Sequence, residues 1–558
     1  MQATNPHSNP GSTPDCRQYD VVILGGGLAG LTLSLQLKQT FSDLKILVLE
    51  RREHPVPEAA HKVGESSVEI GAHYFETVLG LKDHLQQHQL KKFGFRFFFS
   101  DGATDITQVT ELGASMVLPT PSYQIDRGIF ENTLAEIARQ KGVTFIDGAM
   151  VKQFSIAPPD DSHTIEFEHK NQRHMISSRW LIDAAGRAGM IKRKLNLQES
   201  NEHNANAVWF RISEKIDINN WSKDRAWLNR CNPPNRWLST NHLCGEGYWA
   251  WLIPLVSGSH SVGIVADAEM HPIETMNTFE KAMIWLEKYQ PLLFKELDVK
   301  REKLQDFAFF RRFSYGCKQV FSGKQRWALT GEAGLFLDPF YSPGSDFIAI
   351  GNTYITELIR QDRANGPVEM YASIFEQVYF QLYQNMLTLY EGQYKLFGDP
   401  EVMPVKVIWD YTYYWGVMCQ LFFQNRLTDI ITMSRMQTEL ANVQALNIAM
   451  QKFLHQWGEI SEKKNPAQML DQASLPWFAE LNRGLRDTLS VEEFSARMKA
   501  NLTQLDDLAQ EIIMHAHLNY PTIDTAEIAT LLKLDRNALA FPAQQAMLFP
   551  KAAYKYII

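Results

Sequence analysis

Long apolar runs are missing from this 558-residue sequence, and no stretch is long and apolar enough to span a bilayer. Residues 1–18 are rich in Asn, Pro, Ser and Gly and lack the apolar core of a signal peptide, so we expect a disordered lead-in there. Cysteine is also scarce: five residues are scattered without CxxC spacing. This pattern argues against a disulfide framework or a zinc site and predicts reduced thiols in a cytoplasmic protein.

Lys/Arg-rich tracts are absent as well, and the formal net charge is -8. This charge argues against general nucleic-acid binding. Hydrophobic residues make up 45% of the chain and charged residues 21%, which is ordinary for a globular protein. The length allows two to four structural units. Because no sharp linker is visible, we expect them to pack together.

A strand, a glycine turn, a helix and a second strand follow one another near the start of the chain. Residues 19–24 form a short β-branched run that ends at glycines, residues 28–40 carry apolar side chains at helical spacing, and residues 44–50 form a second apolar run. This order predicts a βαβ unit with a right-handed crossover.

Further along, the patterns predict strands, then an antiparallel sheet, then helices. We predict strands at residues 93–100, 143–146, 151–169, 175–184 and 327–330, a helix at residues 125–142, an antiparallel sheet over about 205–265, and helices from about residue 350 onward. The aromatic stretch at residues 407–423 is interrupted by Asp410 and several tyrosines, so we expect a buried or substrate-facing helix there.

The glycine turn has the spacing that binds a dinucleotide. Gly25, Gly27 and Gly30 fit G-x-G-x-x-G between a strand and a helix. Gly25 permits the tight turn, Gly27 lets the backbone approach a pyrophosphate, and Gly30 lets helix and strand pack closely. Glu50 follows about 20 residues later, where an acid binds ribose hydroxyls. A plain glycine-rich turn is the alternative, which both strands and the acid disfavour.

Two later segments favour FAD over NAD. Residues 180–186 and 327–334 each run from a strand into a turn of small residues, and both resemble the later FAD-contacting motifs of the flavin monooxygenase superfamily. That superfamily usually has Gly-Asp in the second motif, whereas this chain has Gly331 and Glu332, which keeps the charge on a longer side chain. Residues 123–127 resemble the family helix that contributes a flavin contact through Arg127; a surface salt bridge is the alternative for this arginine.

A tryptophan motif narrows the chemistry. Residues 249–254 read W-x-W-x-I-P, and residues 62–67, 91–97 and 336–344 accompany it in order. In these four segments the chain resembles the flavin-dependent halogenases, and the similarity extends over nearly the whole chain. Both Trp249 and Trp251 would lie on one face of a strand, where core packing is the alternative role.

The resemblance implies an α/β fold of the FAD-binding, Rossmann-like type with an antiparallel substrate sheet and a helical C-terminal region. We expect an FAD-binding body at residues 19–355 and helices covering the substrate pocket at residues 356–558. The FAD contacts that the resemblance implies are Gly25, Gly27, Leu28, Ala29, Gly30, Glu50, Arg51, Gly64, Glu65, Ser66, Arg127, Asp183, Gly186, Glu332, Pro339, Gly344 and Ser345.

The family's reaction explains the remaining motifs. Reduced FAD and O2 oxidise chloride or bromide to hypohalous acid, which travels through a tunnel to a lysine beside the substrate. The matching segment offers Lys92 first and Lys91 second, with a solvated lysine pair as the alternative. A lysine buried among phenylalanines should have a lowered pKa. Trp249 and Trp251 would separate the flavin from the substrate.

Two departures from the family pattern bear on the substrate. Tryptophan halogenases have a glutamate where this chain has Tyr341, so a phenolic or pyrrolic ring is expected here, with Tyr341 acting on the substrate or packing against it. The halide is held in the family by backbone N–H groups of this loop, and Pro343 has none. Gly344 and Ser345 still offer donors.

The sequence leaves three functions open. The first is a halogenase that receives reduced FAD from a separate NAD(P)H-dependent flavin reductase and acts on a small aromatic substrate, either free or bound to a carrier protein. The second, favoured by Pro343, is an aromatic monooxygenase. The third is a non-catalytic flavin-binding partner. No metal site is expected in any of them.

Overall fold

A mainly parallel sheet, which we call the first sheet, carries the predicted βαβ unit. The computed structural model describes residues 17–57, 59 and 63–534. The first sheet runs, in spatial order, through Phe321–Ser322, Trp327–Leu329, Gln172–Asp183, Arg17–Leu24, Ile46–Leu49 and Thr144–Ile146. The central strand pairs in parallel with its two neighbours, with Ile23 opposite Ile182 on one side and Val48 on the other. All four residues of Ile46–Leu49 are buried, as expected where helices cover both faces of a parallel sheet.

The helix Leu28–Thr40 has the bounds that the sequence predicts. The first strand begins at Arg17, so the predicted lead-in is two residues too long; residues 1–16 lie outside the described residues. The predicted strand at 151–169 is two strands, Met150–Ser155 and His163–His169. The turn between them contains Pro158 and Pro159, which have no N–H to donate to a ladder.

A second, mainly antiparallel sheet confirms the expectation for residues 205–265. It runs in spatial order through Leu304–Phe310, Ala205–Ile212, His260–Asp267, Tyr248–Pro254, Thr240–Gly245, Phe95–Phe99, Glu111–Gly113 and Met469–Asp471. Two of its pairings are parallel, Thr240–Gly245 with Phe95–Phe99 and Met469–Asp471 with Glu111–Gly113. The short helix Arg225–Asn229 and two 3-10 turns interrupt the predicted alternation.

The two faces of the second sheet belong to different hydrophobic clusters. Trp249 and Trp251 face the larger cluster, which also contains the core of the first sheet. Tyr248, Ala250 and Leu252 face a smaller cluster that the helices Phe279–Tyr289 and Pro291–Asp298 cover. Successive strand residues point to opposite faces, so the alternation of the motif places both tryptophans on the side of the flavin body.

Helices dominate the later part of the chain, as predicted. The longer ones are Gly344–Arg363, Val368–Leu387, Met403–Tyr413, Gln437–Ile460 and Val491–Asn519. The first of these crosses the expected boundary at residues 355 and 356. The stretch at 407–423 is buried throughout and contains a π-helical turn, Tyr414–Cys419. The strand Met469–Asp471 was not predicted, because three residues carry too little pattern to identify a strand. Residues 535–558 of the predicted helical region lie outside the described residues.

The remaining helices and small strand pairs complete the fold. The helices are Glu69–His73, Lys82–His88, Arg127–Gln140, Met190–Lys194, Gln420–Phe423, Ile430–Arg435, Pro476–Arg483 and Ala526–Leu531, with a π-helical turn at Tyr74–Val78. Two small strand pairs are Gln198–Ser200 with Tyr315–Cys317 and Leu90–Lys91 with Tyr123–Gln124. The predicted helix at 125–142 is confirmed with slightly shorter bounds.

Candidate active site

A cleft of about 800 Å³ opens at the carboxyl ends of the parallel strands. This is the edge where open α/β sheets bind their ligands, and the volume lies in the usual range for cofactor sites. Fifteen of the seventeen predicted FAD contacts line it. They are Gly25, Gly27, Leu28, Ala29, Glu50, Arg51, Gly64, Glu65, Ser66, Arg127, Gly186, Glu332, Pro339, Gly344 and Ser345.

The glycine turn is shaped to receive a phosphate group. Gly25 has φ +109°, and a Cβ there would lie 2.4 Å from the Ala184 carbonyl oxygen. A Cβ on Gly30 would lie 2.0 Å from the Gly25 carbonyl oxygen, so this glycine allows helix and strand to touch. A Cβ on Gly27 would meet no protein atom within 4 Å, because the position faces the cleft. Backbone N–H groups at this helix start can therefore be approached closely by an anion.

Glu50 is held at the cleft by hydrogen bonds from two backbone N–H groups. Its carboxylate accepts hydrogen bonds from the Gly26 N–H and the Arg52 N–H, both at 2.7 Å. These bonds hold the side chain at the rim of the cleft beside the exposed Arg51. Each carboxylate oxygen keeps a further lone pair, so Glu50 can still accept hydroxyl groups of a ribose.

Two predicted contacts do not line the cleft. Gly30 lies under the turn, as described. The Asp183 carboxylate accepts hydrogen bonds from the Ala185 N–H at 3.0 Å and the Ile191 N–H at 2.7 Å. Burial raises the pKa of this carboxyl to about 6. Asp183 therefore shapes the turn that carries Gly186 instead of presenting its carboxylate to the cleft.

Charged residues at the cleft are largely occupied by protein partners. The Glu65 carboxylate accepts hydrogen bonds from the guanidinium of Arg211, inside the second sheet. Arg127 donates to the Val63 carbonyl oxygen at 2.6 Å and to Glu131. Arg127 therefore forms an ion pair with Glu131 as well as lining the cleft, but this pair is largely buried and is not the surface salt bridge considered as the alternative. Lys62, in the same segment, lies outside the described residues.

Glu332 and the loop that follows it form the opposite wall. The Glu332 carboxylate lies 3.8 Å from the Arg187 guanidinium, and both side chains are partly exposed to the cleft. Its longer arm therefore reaches a cation at the cleft, which is consistent with a contact near the ribityl region.

Trp249 and Trp251 form an aromatic wall with their ring centroids 5.6 Å apart. Both line the cleft, as do His242 and Asp338. The Trp249 indole N–H donates to the Tyr394 hydroxyl at 3.1 Å, and Tyr394 in turn donates to Asp338. The tryptophan pair is therefore held rigidly between the cleft and the residues behind it.

The two candidate lysines have opposite surroundings. Lys91 is exposed to solvent, because its strand turns it outward. Lys92 is 3% exposed, and its Nζ lies 3.3 Å from the centroid of the Phe95 ring. Burial holds the pKa of Lys92 well below its ordinary value, while Glu69 and Asp346 oppose the shift. The enclosed position expected of a family lysine is therefore that of Lys92 and not that of Lys91.

A chain of hydrogen bonds joins Lys92 to the cleft. The Lys92 ammonium donates to Ser66 Oγ at 2.9 Å and to the Ser67 carbonyl oxygen at 3.1 Å. Ser66 Oγ is 2.9 Å from Thr240 Oγ1, which accepts from the Gln124 amide at 2.9 Å. Both Ser66 and Thr240 line the cleft. A single side chain thus separates the buried ammonium from the cofactor side.

Two small cavities have Phe95 in their walls. One, of about 10 Å³, is lined by Lys92, Glu69, Phe95 and Tyr411. The other, of about 20 Å³, is lined by Phe95, Tyr341, Asp346 and Tyr411 among others. Each has room for about one water molecule. Neither cavity is large enough for an aromatic ring.

Tyr341 is engaged by a buried polar network. Its hydroxyl donates to Asp410 at 2.7 Å, and the same carboxylate accepts from Lys406 at 2.8 Å and from Gln451 at 2.7 Å. Lys406 is fully buried. The Tyr341 hydroxyl is thus committed to a neighbouring helix, although its ring still lines the 20 Å³ cavity.

The loop expected to hold a halide ends at the start of the helix Gly344–Arg363. Pro343 is its N-cap residue, and Gly344 and Ser345 occupy the first turn, whose N–H groups have no partner within the helix. Both residues line the cleft, and Ser345 Oγ is buried without a partner among the described residues. The positive end of a 20-residue helix therefore points at the cleft.

Sequence reasoning missed two carboxylates beside Lys92. Glu69 begins the short helix Glu69–His73, and Asp346 follows Ser345. Asp346 accepts from the Gly71 N–H at 2.8 Å and the Tyr414 hydroxyl at 2.7 Å, and burial raises its pKa to about 8. The available signal was their position directly after two motif segments, at Ser66–Ser67 and at Gly344–Ser345.

Comparisons with known proteins agree with this geometry. The FAD binding domain family matches residues 18–256. The chain is 25% identical over 456 residues to the flavin-dependent halogenase chlA of Dictyostelium discoideum, covering 74% of this chain and 73% of that protein. It is 25% identical over 354 residues to a 1H-pyrrole-2-carbonyl peptidyl-carrier-protein brominase of Pseudoalteromonas luteoviolacea, covering 62% and 78%.

A solved structure extends the likeness to most of the fold. The halogenase PltM aligns over 88% of this chain and 97% of its own, with a TM-score of 0.63 and 17% identity. The fold prediction is confirmed, including the helical C-terminal part, and so is the resemblance on which it was based. Among the helices in the described ranges, none is both long and apolar enough to cross a membrane.

Proposed function

We propose that this chain, an FAD-dependent oxidoreductase homologous to the flavin-dependent halogenases, halogenates a phenolic or pyrrolic ring with chloride or bromide. The observation that carries the proposal is the burial of Lys92 directly behind the cleft, hydrogen-bonded to the cleft residue Ser66. A solvent-exposed lysine at this place could not guide a reactive oxidant away from water.

The residues of the cleft suit FAD. Gly27 and its neighbours would receive the pyrophosphate, Glu50 the ribose hydroxyls, and the segment from Gly64 to Ser66 with Pro339 the part nearer the tryptophans. The bound, reduced flavin supplies, with O2, the oxidation of halide to hypohalous acid. Trp249 and Trp251 wall this side of the cleft and exclude water from it, which protects a reactive oxidant.

The halide site of this proposal is the start of the helix Gly344–Arg363. The Gly344 and Ser345 N–H groups and the positive end of the helix favour an anion. The missing N–H at Pro343 removes one donor that the family pattern would have there. The unpartnered Ser345 hydroxyl, which lies beside the same turn, can donate in its place.

Lys92 is the residue that would deliver the halogen to the substrate. Its ammonium is held at the end of the path from Ser66, against the Phe95 ring. A lysine with a lowered pKa can give up a proton readily, so it can act as a hydrogen-bond donor or proton donor to hypohalous acid. Lys91, which faces solvent, has no part in this step.

The substrate class follows from what surrounds Lys92. A glutamate at the position of Tyr341 is absent, and the Tyr341 hydroxyl donates to Asp410. A ring that is already electron-rich, such as a phenol or a pyrrole, needs less activation than an indole. The names of relatives include a brominase of a carrier-bound pyrrole and a tetracycline 7-halogenase, which fits either a free or a carrier-bound substrate.

Two further parts of the proposal concern the source of reduced FAD and the cellular location of the protein. We expect reduced FAD to come from a separate NAD(P)H-dependent flavin reductase, since we recognise a single glycine turn of the dinucleotide-binding type in the sequence. The four cysteines within the described ranges are free and buried, which suits a reducing, cytoplasmic environment.

One assay tests this function against its alternatives. The purified protein is incubated with FAD, a flavin reductase, NADH, O2 and bromide or chloride, together with phenols, pyrroles and indoles. Products with halogen isotope patterns are expected. Products heavier by one oxygen atom would instead identify the aromatic monooxygenase that Pro343 favours. Flavin binding without any product would identify a non-catalytic flavin protein.

A further inference from the structure

Glu69 has a buried carboxylate, and one of its oxygens accepts no hydrogen bond from the described residues. The side chain is 4% exposed, and its Oε2 has no hydrogen-bond partner among the described residues. Buried acceptors are nearly always paired, so an unpaired carboxylate oxygen inside a catalytic region needs an explanation. The Trp415 indole N–H approaches the carboxylate but does not meet hydrogen-bond geometry, and it too is unpaired.

Glu69 shares a cavity with Lys92. Both side chains line the 10 Å³ cavity, together with the Phe95 and Tyr411 rings. The Lys92 ammonium donates to Ser66 and Ser67 instead of forming an ion pair with Glu69. The cavity lining therefore contains a donor and a free acceptor, with aromatic rings beside them.

Asp346 and the Tyr341 hydroxyl, which also lie in this region, already have hydrogen-bond partners. Both Asp346 oxygens accept hydrogen bonds, from Gly71 and from Tyr414. The Tyr341 hydroxyl donates to Asp410. Glu69 is thus the carboxylate in this region that retains capacity for a donor on a bound molecule.

We propose that Glu69 is a catalytic general base that accepts the hydroxyl proton of a phenolic substrate while Lys92 presents the halogen. This inference rests on the proposed halogenase function and assigns its substrate to the phenols. It also accounts for the absence of an acid at Tyr341, because the activating carboxylate comes from the helix Glu69–His73 instead.

The step balances with hypohalous acid as the oxidant. The ring hydroxyl gives its proton to Glu69, and the electron pair of that O–H bond increases the density at the ring carbon. This carbon attacks the halogen of hypohalous acid, forming the carbon–halogen bond and breaking the oxygen–halogen bond. The departing hydroxide takes a proton from Lys92 and becomes water. Rearomatisation transfers the ring proton through water to Lys92, and protonated Glu69 returns its proton to the phenolate oxygen of the product, which restores both residues.

The electrostatics of the cavity suit this role. Burial raises the pKa of Glu69, whereas the Trp415 indole and the Lys92 ammonium lower it in part. A carboxylate with a raised pKa is a stronger base than an exposed one. The pKa of Lys92 is shifted in the opposite direction, downward. Glu69 is therefore suited to accept a proton and Lys92 to donate one during the step.

Substrate entry requires part of the wall to move. The cavity holds about one water, and its outer wall includes Val117, Leu118 and Thr120, which belong to a segment without helix or strand. Val117 is 42% exposed, so this segment separates Lys92 and Glu69 from solvent on the side away from the cleft. A ring that displaces it would place its hydroxyl between Glu69 and Lys92.

Two substrates, one with hydroxyl protons and one without, test the role of Glu69 as a base. Resorcinol has hydroxyl protons, whereas 1,3-dimethoxybenzene is similarly electron-rich and has none. Glu69→Gln should lower kcat/KM for resorcinol halogenation by about tenfold or more, the usual scale of general base catalysis at its low end. The rate with 1,3-dimethoxybenzene should stay within about twofold. Glu76→Gln, on the neighbouring π-helical turn and outside the cavity, is the matched control and should leave both rates unchanged.

Direct binding provides a readout that does not depend on turnover. The dissociation constant of resorcinol, measured calorimetrically with the FAD-loaded protein and no halide, should rise about tenfold in Glu69→Gln, because a hydrogen bond to a charged acceptor is lost. Glu69→Asp keeps the carboxylate on a shorter arm and should retain part of the activity. If neither variant binds FAD, the wild-type protein still tests the inference. Its preference for resorcinol over 1,3-dimethoxybenzene should exceed the preference that free hypohalous acid shows between the same two compounds in solution.

The outcomes separate the two proposals. Equal losses with both rings would assign Glu69 a structural role only, and unchanged resorcinol rates and binding, or a wild-type preference equal to that in solution, would overturn the inference. A wild type that halogenates pyrroles but no phenol would overturn it as well. A wild type that halogenates nothing would instead contradict the proposed function.

Discussion

The Lys92 ammonium donates a hydrogen bond to the hydroxyl of Ser66 at 2.9 Å, and Ser66 lines the cleft on its other side. This contact joins the two chemical halves of the site. The cleft carries the cofactor-binding features, and the buried lysine faces the aromatic cavities behind it. Ser66 therefore contacts both the cleft and the buried ammonium.

Replacement of Lys92 should separate halogenation from cofactor binding. Lys92→Met keeps most of the volume and removes the ammonium, so product formation should fall by roughly 100-fold or more, the scale expected for loss of a proton donor. FAD affinity, measured by fluorescence titration, should stay unchanged because Lys92 does not line the cleft. Lys91→Met is the matched control, since that side chain is exposed. Full activity in the Lys92 variant would refute its role.

Gly27→Val should remove FAD without unfolding the protein. A Cβ at this position would meet no protein atom within 4 Å, and the side chain would enter the cleft where the pyrophosphate is expected. Stability should fall by about 1 kcal/mol or less, because valine is a poor N-cap residue. Flavin absorbance of the purified variant and its thermal unfolding measure both effects.

Gly30→Ala provides the contrast to that variant. Its Cβ would lie 2.0 Å from the Gly25 carbonyl oxygen, so the backbone must shift and we expect a large loss of stability. If Gly27→Val remained yellow, or if Gly30→Ala were as stable as wild type, the assignment of the turn would be wrong.

Tyr341→Phe should cost stability but little activity. The substitution removes one donor to the buried Asp410, which keeps Lys406 and Gln451, so unfolding should become easier by about 1 kcal/mol. The ring that lines the cavity is retained. Chemical denaturation and the halogenation assay measure the two effects. A loss of turnover well beyond the loss of folded protein would mean that the hydroxyl acts on the substrate.

His260 should make stability depend on pH. Burial, together with Lys215 and Lys300, lowers the pKa of His260 to about 3, and its Nδ1 accepts a hydrogen bond from the Ile216 N–H. The folded imidazole stays neutral while the unfolded one takes a proton near its ordinary pKa of about 6.5. This stability is therefore complete above that value and is lost as pH falls towards the folded pKa.

The difference between wild type and His260→Leu measures this contribution. Between about pH 7 and about pH 5, wild type should lose about 2 kcal/mol relative to the variant, which lacks the titrating group. Urea unfolding at the two pH values provides the comparison. A pH-independent difference would mean that His260 is not held neutral in the folded protein.

Local patterns were sufficient for much of the fold. The helix Leu28–Thr40 and the buried strands beside it follow from hydrophobic spacing and from the glycines between them. The alternation of Trp249 and Trp251 correctly predicted that both rings share one face. The strand Met469–Asp471 could not be predicted, since its pairing partner lies more than 350 residues earlier in the chain.

By itself, the sequence determined the cofactor turn, the order of the main elements and the pair of candidate lysines, because these depend on spacing between near neighbours. Only the tertiary structure showed that Lys92 is buried whereas Lys91 is exposed. It also paired the carboxylates of Glu65 and Asp183 with protein donors and brought Glu69 into the cavity of Lys92. Burial and hydrogen-bond pairing depend on which distant segments meet, and side chains that are adjacent in sequence can face solvent and core respectively.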